Sequence, residues 1–453
     1  MVVTTSITAP KERTPHSAKR IAAAGAIGTV VEWFDYGLYG IAAALFIRPL
    51  FFSDADPIVG TLLAFATFAV GFLARPIGGI VLSHFGDKHG RKPVMMFTII
   101  LMGLSTVLMG FLPTDQQIGV WAPVLLVLLR LLQGFGAGAE LAGAFTWVTE
   151  SAQPKNRAFL ASFSSAATTF GIFLGTVFFV VANALVDEKT MLDWGWRVPF
   201  IASSVIVVIA LLVRSKIEDS PEFERAKAAA EATPHVVSQR FPLAQIFVNH
   251  KVAFLAAFLT PTVIGVGAYV ISVYSLSYIT NDLQVPAQVG LTGVLLLGAV
   301  SSVTCVLFGK LADKIGSAKV MIIGASFSIL FAVPYFMLLN TGDPVLIVGA
   351  MVVAYAIGWG ACAGAQGEFL ASLFDTKHRF SGVATTRELS SALIAGPAPF
   401  VAALLTALSG GAPWLVAALV AVASAMTIIG ALIGAREVVR RQRNEAPATQ
   451  FAP

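Results

Sequence analysis

Long apolar runs separated by short polar segments organise this chain. A helix needs about 20 mostly apolar residues to cross a bilayer, and irregular backbone cannot face lipid. On those grounds the pattern predicts membrane helices over residues 21–48, 59–84, 93–112, 121–147, 158–184, 197–214, 251–280, 288–311, 319–340, 345–372, 380–407 and 413–435. Six runs are followed by a polar break and then six more. The break over 215–250 carries Glu218, Asp219, Glu222, Glu224, Arg225 and Lys227, then Pro234 and Pro242. It reads as a loop with a short amphipathic helix near 220–231, because a segment of that size cannot build a core of its own. The expected organisation is a six-helix bundle over 1–214, a central cytoplasmic loop over 215–250, and a second six-helix bundle with a cytoplasmic tail over 251–453.

Composition supports the bilayer as solvent. The 453 residues are 57% hydrophobic and only 12% charged, where soluble domains carry roughly a quarter charged residues. The net charge of +5 is explained by where the cations sit. Arg48, Lys189 and Arg197 fall on one side of the layout, and Arg75, Arg130 and Arg387 fall inside spans. The remaining Lys and Arg lie in the tails and the alternate loops, which the positive-inside rule places in the cytoplasm. Both termini are then cytoplasmic, which requires an even number of spans. The apolar run after Lys19 and Arg20 is too long for a cleavable leader and reads as the first span. Cys305 and Cys362 sit in apolar stretches without metal-ligand spacing and read as small core residues.

An internal repeat relates the two halves. Gly86-Asp87-Lys88-His89-Gly90-Arg91-Lys92 follows the second span, and Gly309-Lys310-Leu311-Ala312-Asp313-Lys314-Ile315-Gly316 follows the eighth. Asp87 and Asp313, like Gly90 and Gly316, are 226 residues apart, and Arg157 and Arg379 are 222 apart. Parallel six-helix repeats build transporters whose substrate site lies between the halves near midplane. The stretch from Gly78 to Lys92 resembles the signature loop of the major facilitator superfamily. Glu32-Trp33-Phe34-Asp35-Tyr36-Gly37, Phe72-Leu73-Ala74-Arg75-Pro76-Ile77-Gly78-Gly79, Arg130-Leu131-Leu132-Gln133-Gly134 with Glu140, and Trp194-Gly195-Trp196-Arg197-Val198-Pro199-Phe200 resemble its metabolite:proton symporter family. That family includes transporters of shikimate, α-ketoglutarate, citrate and proline/betaine. The resemblance implies an all-α membrane protein of twelve helices in two pseudo-symmetric bundles. It also implies inner-membrane localisation and proton-coupled uptake of a small metabolite. The C-terminal half departs from the pattern: its second signature loop ends Ser317-Ala318-Lys319, and Arg387-Glu388 stands where relatives tend to be uncharged.

Ionisable groups inside spans mark candidate chemistry, since each costs at least about 2.5–3.5 kcal/mol to insert. They are Glu32, Asp35, Arg75, Arg130, Glu140, Glu368, Arg387 and Glu388. Proton coupling needs a carboxylate whose affinity for protons changes with its surroundings, and a nearby guanidinium is one such influence. The expectation is that Asp35 faces Arg130, releasing or binding a proton as the substrate's carboxylate competes for that Arg; a permanent structural ion pair is the alternative. Glu32, one turn away, and Glu140 are candidates to share the proton. Arg130, with its bidentate fork, and Arg387 are candidate anion ligands, and Gln133, Tyr269, Trp359 and Gln366 candidate cavity-lining groups. The charge network expected at the cytoplasmic gate comprises Asp87, Gly90, Arg91, Lys92, Glu150, Arg157 and Asp313, with an Arg75–Glu388 pair deeper in.

Other classes fit less well. The six His are scattered, with no Ser, His and Asp or His and Cys grouping for catalysis, and no phosphate-binding loop of the form G-x-x-x-x-G-K-[ST] is present. No enzymatic activity, cofactor or metal is expected beyond the proton as coupling ion, and no nucleic-acid partner. The expected partners are a small organic anion or zwitterion, protons and lipid, with the chain acting as a monomer. A zwitterionic osmolyte such as proline or betaine remains an alternative substrate. A proton-driven exporter is the other alternative, although Gly171-Ile172-Phe173-Leu174-Gly175 lacks the proline such exporters typically carry.

Overall fold

The computed structural model describes the chain over 15–89, 91–138, 152–215, 250–375 and 378–445, and the side chains of these residues except 15–27, 83–84, 86–89, 91–92, 154, 214–215, 442 and 444–445. Twelve long helices run through these residues. They are α1 (Pro15–Leu45), α2 (Pro57–His89), α3 (Arg91–Met109), α4 (Trp121–Ala137), α5 (Arg157–Leu185) and α6 (Arg197–Ser215). After the central segment follow α7 (Lys251–Asp282), α8 (Ala287–Ile315), α9 (Ser317–Leu339), α10 (Pro344–Leu373), α11 (Arg379–Leu408) and α12 (Trp414–Glu445). Eight of them are long and apolar enough by themselves to cross a membrane, and a bent pair ending in α6 makes a ninth. The apolar stretches of α3 and α4 are shorter. In α1, Glu32, Asp35, Tyr36 and Tyr39 dilute the apolar character of a helix whose C-terminal half is nonetheless buried.

Outward faces carry what lipid accepts. Leu73, Ile77 and Ile80 on α2, and Leu330, Val333 and Met337 on α9, are exposed at helical spacing. Backbone hydrogen bonds close within each helix, which is the condition for a lipid-facing segment. With little hydrophobic drive between helices in lipid, association rests on close packing of small residues. Helices α2 and α4 show why: a Cβ on Gly134 would lie 1.9 Å from the Gly71 carbonyl oxygen, and one on Gly78 1.9 Å from that of Phe135.

Between the halves, α5 lies against α8 and α10, and α2 against α11. Gly298 of α8 seats Phe173 of α5, and Gly396 of α11 seats Phe72 of α2. At the end where the basic loops gather, Asp313 of α8 accepts the backbone N–H groups of Ala158 (2.9 Å) and Phe159 (3.0 Å). This places a carboxylate on the N-terminus of α5, where the helix dipole favours negative charge. Three residues later Gly316 turns the chain into α9 with φ +97, a conformation that explains the glycine of the second signature loop. Asp87, Gly90, Arg91, Lys92, Glu140 and Glu150 lie outside the described residues or have side chains outside them, so the first signature loop has no comparable geometry here.

The α2–α4 contact gives a direct test. Gly134→Ala should cost about 1–3 kcal/mol through overpacking against main chain. Gly267→Ala, where an added Cβ meets nothing within 4 Å, should be neutral or stabilising. Thermal unfolding of both variants in one detergent checks this; equal midpoints would show that the two helices separate without cost.

Candidate functional site

Three charged side chains meet where α1, α2 and α11 converge. Arg75 Nη2 donates to Glu32 Oε1 at 2.6 Å, and Arg75 Nε donates to Glu388 Oε2 at 2.9 Å. Arg75 and Glu32 belong to the first half of the chain and Glu388 to the second, so one guanidinium joins the two. Arg75 and Glu32 are almost wholly buried and Glu388 nearly so. The sequence reading brought Arg75 to Glu388. It expected Glu32 beside Asp35, whereas the structure turns Glu32 toward Arg75.

Arg130 occupies a second, neighbouring nest. It is fully buried, donates through Nη1 to Gln133 Oε1, and through Nη2 to the Phe68 carbonyl at 3.1 Å. Its guanidinium carbon sits 3.8 Å from the centre of the Tyr39 ring, a cation–π arrangement strengthened by the absence of water. Tyr39 in turn shares a hydrogen bond with Thr67 at 2.6 Å. Asp35 lies beside the side chains of Thr106 and Gln133 and within electrostatic reach of Arg130. Gln133 Nε2 also donates to Thr106 at 2.7 Å. The expected direct Asp35–Arg130 contact is therefore replaced by an amide-mediated one. The physical reason is spacing: Gln133 follows Arg130 by three residues on the same face of α4, and its two-ended amide fits between a cation and an anion.

Tyr36 stands between the two nests. Its ring centre is 5.2 Å from the Arg75 guanidinium and 5.6 Å from that of Arg130. Both cations thus lie against one aromatic ring of α1, that of the residue directly after Asp35.

A small cavity of about 40 Å³ lies between the halves beside the first nest. Helix α1 lines it with Trp33, α5 with Ser165 and Thr168, α7 with Tyr269, α10 with Trp359 and Gln366, and α11 with Arg387, Ser390 and Ser391. Trp33 and Tyr269 stack across the boundary between the halves, with centroids 6.4 Å apart and rings 9° from parallel. Four buried polar atoms of these walls have no hydrogen-bond partner among the described residues: Trp33 Nε1, Ser165 Oγ, Tyr269 Oη and Trp359 Nε1. Buried donors in native proteins are nearly always satisfied, so donors gathered on one cavity are what a polar ligand would satisfy. Arg387 supplies the cationic group, within electrostatic reach of Glu388 and Glu32.

The structure collects Tyr269, Trp359, Gln366 and Arg387 in this cavity and leaves Arg130 and Gln133 outside its lining. Sequence reading missed Trp33, Ser165, Thr168, Ser390 and Ser391. Trp33 lies between two acids of the first span, Glu32 and Asp35, and Ser390 lies one turn beyond Arg387; those were the available signals. Tyr274 and Tyr278, by contrast, bond elsewhere, to Thr406 at 2.5 Å and Asn340 at 3.1 Å. No sequence signal announced the π-helical turns, Val270–Tyr274 in α7, Ala354–Trp359 in α10 and Ser391–Ala395 in α11. Each adjoins a cavity wall, as such bulges often do at functional sites. At the basic end, Arg157 lies within electrostatic reach of Glu368, which accepts a 2.5 Å bond from Ser317.

Twelve helices, an ion pair joining the two halves and a polar cavity between them define the architecture of a membrane transporter. Residues 25–397 match the family model for the Major Facilitator Superfamily, and the chain belongs to that family. It is 37% identical to the shikimate transporter of Escherichia coli (strain K12) over 388 residues, covering 86% of this chain and 88% of the relative. It is 35% identical to the inner membrane metabolite transport protein YhjE of the same organism, covering 88% and 91%. A putative proline/betaine transporter of Staphylococcus aureus (strain MSSA476) is 33% identical, covering 87% and 83%. Among solved structures, that of a D-xylose-proton symporter superposes with a TM-score of 0.67 at 18% identity, over 91% of this chain and 96% of the other.

The ion triad makes an asymmetric expectation. Arg75→Met removes the cation that two carboxylates share, and breaking buried pairs costs about 3–5 kcal/mol. Glu388→Gln should cost clearly less, since Glu32 still neutralises Arg75. Chemical or thermal unfolding of the two purified variants decides it, and equal losses would mean that Glu388 alone holds the Arg.

Proposed function

We propose that this transporter takes up a small carboxylate-bearing metabolite together with protons, and that Arg387 binds the carboxylate. The supporting observation is the cavity between the halves. It offers one guanidinium, three partnerless aromatic donors and short hydroxyls, the chemistry of a small, multiply hydrogen-bonding anion. Arg387 takes the role that sequence reading divided between it and Arg130. Arg130 then serves as a fixed cation that acts on Asp35 through Gln133.

In this reading Asp35 and Glu32 are the proton sites, and no cofactor takes part. Substrate charge on Arg387 alters the field at Glu388 and Glu32, and Arg75 and Tyr36 carry that change to the Asp35 nest. Opening toward one side requires the Arg75–Glu388 contact between the halves to break. The domain division at 1–214, 215–250 and 251–453, cytoplasmic termini, and action as a monomer in the inner membrane belong to the same proposal. The Asp313 cap on α5 then works as a cytoplasmic latch, which Arg157 and the first signature loop would complete. The 33% relative described as a proline/betaine transporter and the aromatic walls favour one second reading: a zwitterion whose quaternary nitrogen rests against Trp33, Tyr269 and Trp359.

Transport into liposomes separates these readings. Under an inward proton gradient, a panel of labelled organic acids and osmolytes should show gradient-driven accumulation of an acid; accumulation of betaine alone would select the zwitterion. Arg387→Lys keeps charge but loses the two-pronged fork, so binding of the best acid should weaken about 10- to 100-fold, the scale of one charge-assisted bond. Unchanged affinity would remove Arg387 from the site.

Coupling is tested separately. Asp35→Asn should abolish accumulation against a gradient while substrate counterflow continues. Wild-type accumulation in Asp35→Asn liposomes would show that the proton travels elsewhere.

A further inference from the structure

Outside the transport pathway, two imidazoles and a carboxylate converge at the basic end of the second half. His250 precedes α7, and Asp375 and His378 lie in the connection from α10 to α11. His378 Nδ1 is 2.8 Å from Asp375 Oδ1 and 3.1 Å from Oδ2, and His250 Nε2 is 3.7 Å from Oδ2. One ligand atom from each residue falls within 4.8 Å of the others. A tetrahedral zinc ion with bonds near 2.0–2.1 Å has ligands about 3.3–3.4 Å apart. The two edges that meet at Asp375 Oδ2, 3.1 and 3.7 Å, straddle that separation. The imidazole rings are 5.1 Å apart, and all three side chains are partly accessible from the aqueous side.

We infer that His250, Asp375 and His378 form a binding site for a divalent cation of the zinc class, with a fourth position open to water. Two neutral imidazoles and a carboxylate are the donor set that zinc and late first-row ions select. The bound ion ties the start of α7 to the entry of α11. Those helices carry Tyr269 and Arg387 to the substrate cavity, so the ion would brace two of its walls from the membrane surface. A purely local role for Asp375 is visible too: its Oδ1 accepts the His378 backbone N–H at 2.8 Å, which shapes the turn into α11. That role does not account for His250, which arrives from a different helix.

Cobalt reports the coordination. Titrating Co²⁺ into purified, tag-free protein in detergent should give one saturable equivalent with the intense visible bands of tetrahedral cobalt, displaced by Zn²⁺. His250→Ala and His378→Ala should abolish the bands. Asp375→Asn keeps an acceptor for the His378 N–H but loses the charge, and should weaken binding at least about tenfold. Metal-free melting and size-exclusion profiles establish that each variant is folded. His84→Ala/His89→Ala should bind as the wild type does. No saturable equivalent in the wild type, bands that persist in His250→Ala, or bands lost only in His84→Ala/His89→Ala would each overturn the assignment.

Discussion

Charge inside hydrocarbon is the constraint around which this molecule is arranged. Arg75 could not remain in α2 without compensation, and the compensation comes from α1 and α11 at once, through Glu32 and Glu388. Two carboxylates around one guanidinium leave a net negative centre, which Arg387 next to Glu388 offsets. The ions are therefore mutually dependent, and some of them belong to different halves. Separating the halves must reassign partners, and this makes an electrostatic network a conformational one. Neither a hydrophobic contact nor an isolated ion pair within one half would have that property.

The helices permit this arrangement because they approach closely. Glycines on α2 and α4 bring main chain against main chain, so Arg130 can reach the carbonyls of Thr67 and Phe68 and remain fully buried. Buried at that depth, Arg130 works as part of the scaffold, with Tyr39 beneath it and Gln133 and Thr106 relaying it to Asp35. The cavity is built differently. Its walls are aromatic residues with partnerless polar tips, and α7, α10 and α11 each include a wider π-helical turn beside it. A rigid ionic frame thus sits next to a less regular cavity wall.

How much of this was legible in advance varied from element to element. The all-helical fold was legible in apolar run length, because a helix satisfies its own backbone groups in lipid, although α3 and α4 have shorter apolar stretches than a full span. The α8–α9 turn was legible through Asp313 and Gly316, whose residue types serve a helix cap and a positive φ. The pairing of Arg75 with Glu388 was legible because both lay at similar depth on helices expected to meet. Glu32 was misdirected. A one-turn spacing from Asp35 put the two acids on one face of α1, but the partner of each depended on which neighbouring helix presented a cation or an amide to it.

The sequence by itself determined that this chain crosses a membrane many times, that its halves repeat, and which charged residues lie within the bilayer. Those properties depend on local composition and on the fixed thickness of hydrocarbon. Only the tertiary structure decided that Gln133 mediates between Asp35 and Arg130, that Arg387 rather than Arg130 lines the cavity, and that Trp33 stacks on Tyr269. These relations join residues distant in sequence. Helix rotation, π-helical turns and glycine-governed approach set them, and none of these is encoded by hydrophobic periodicity.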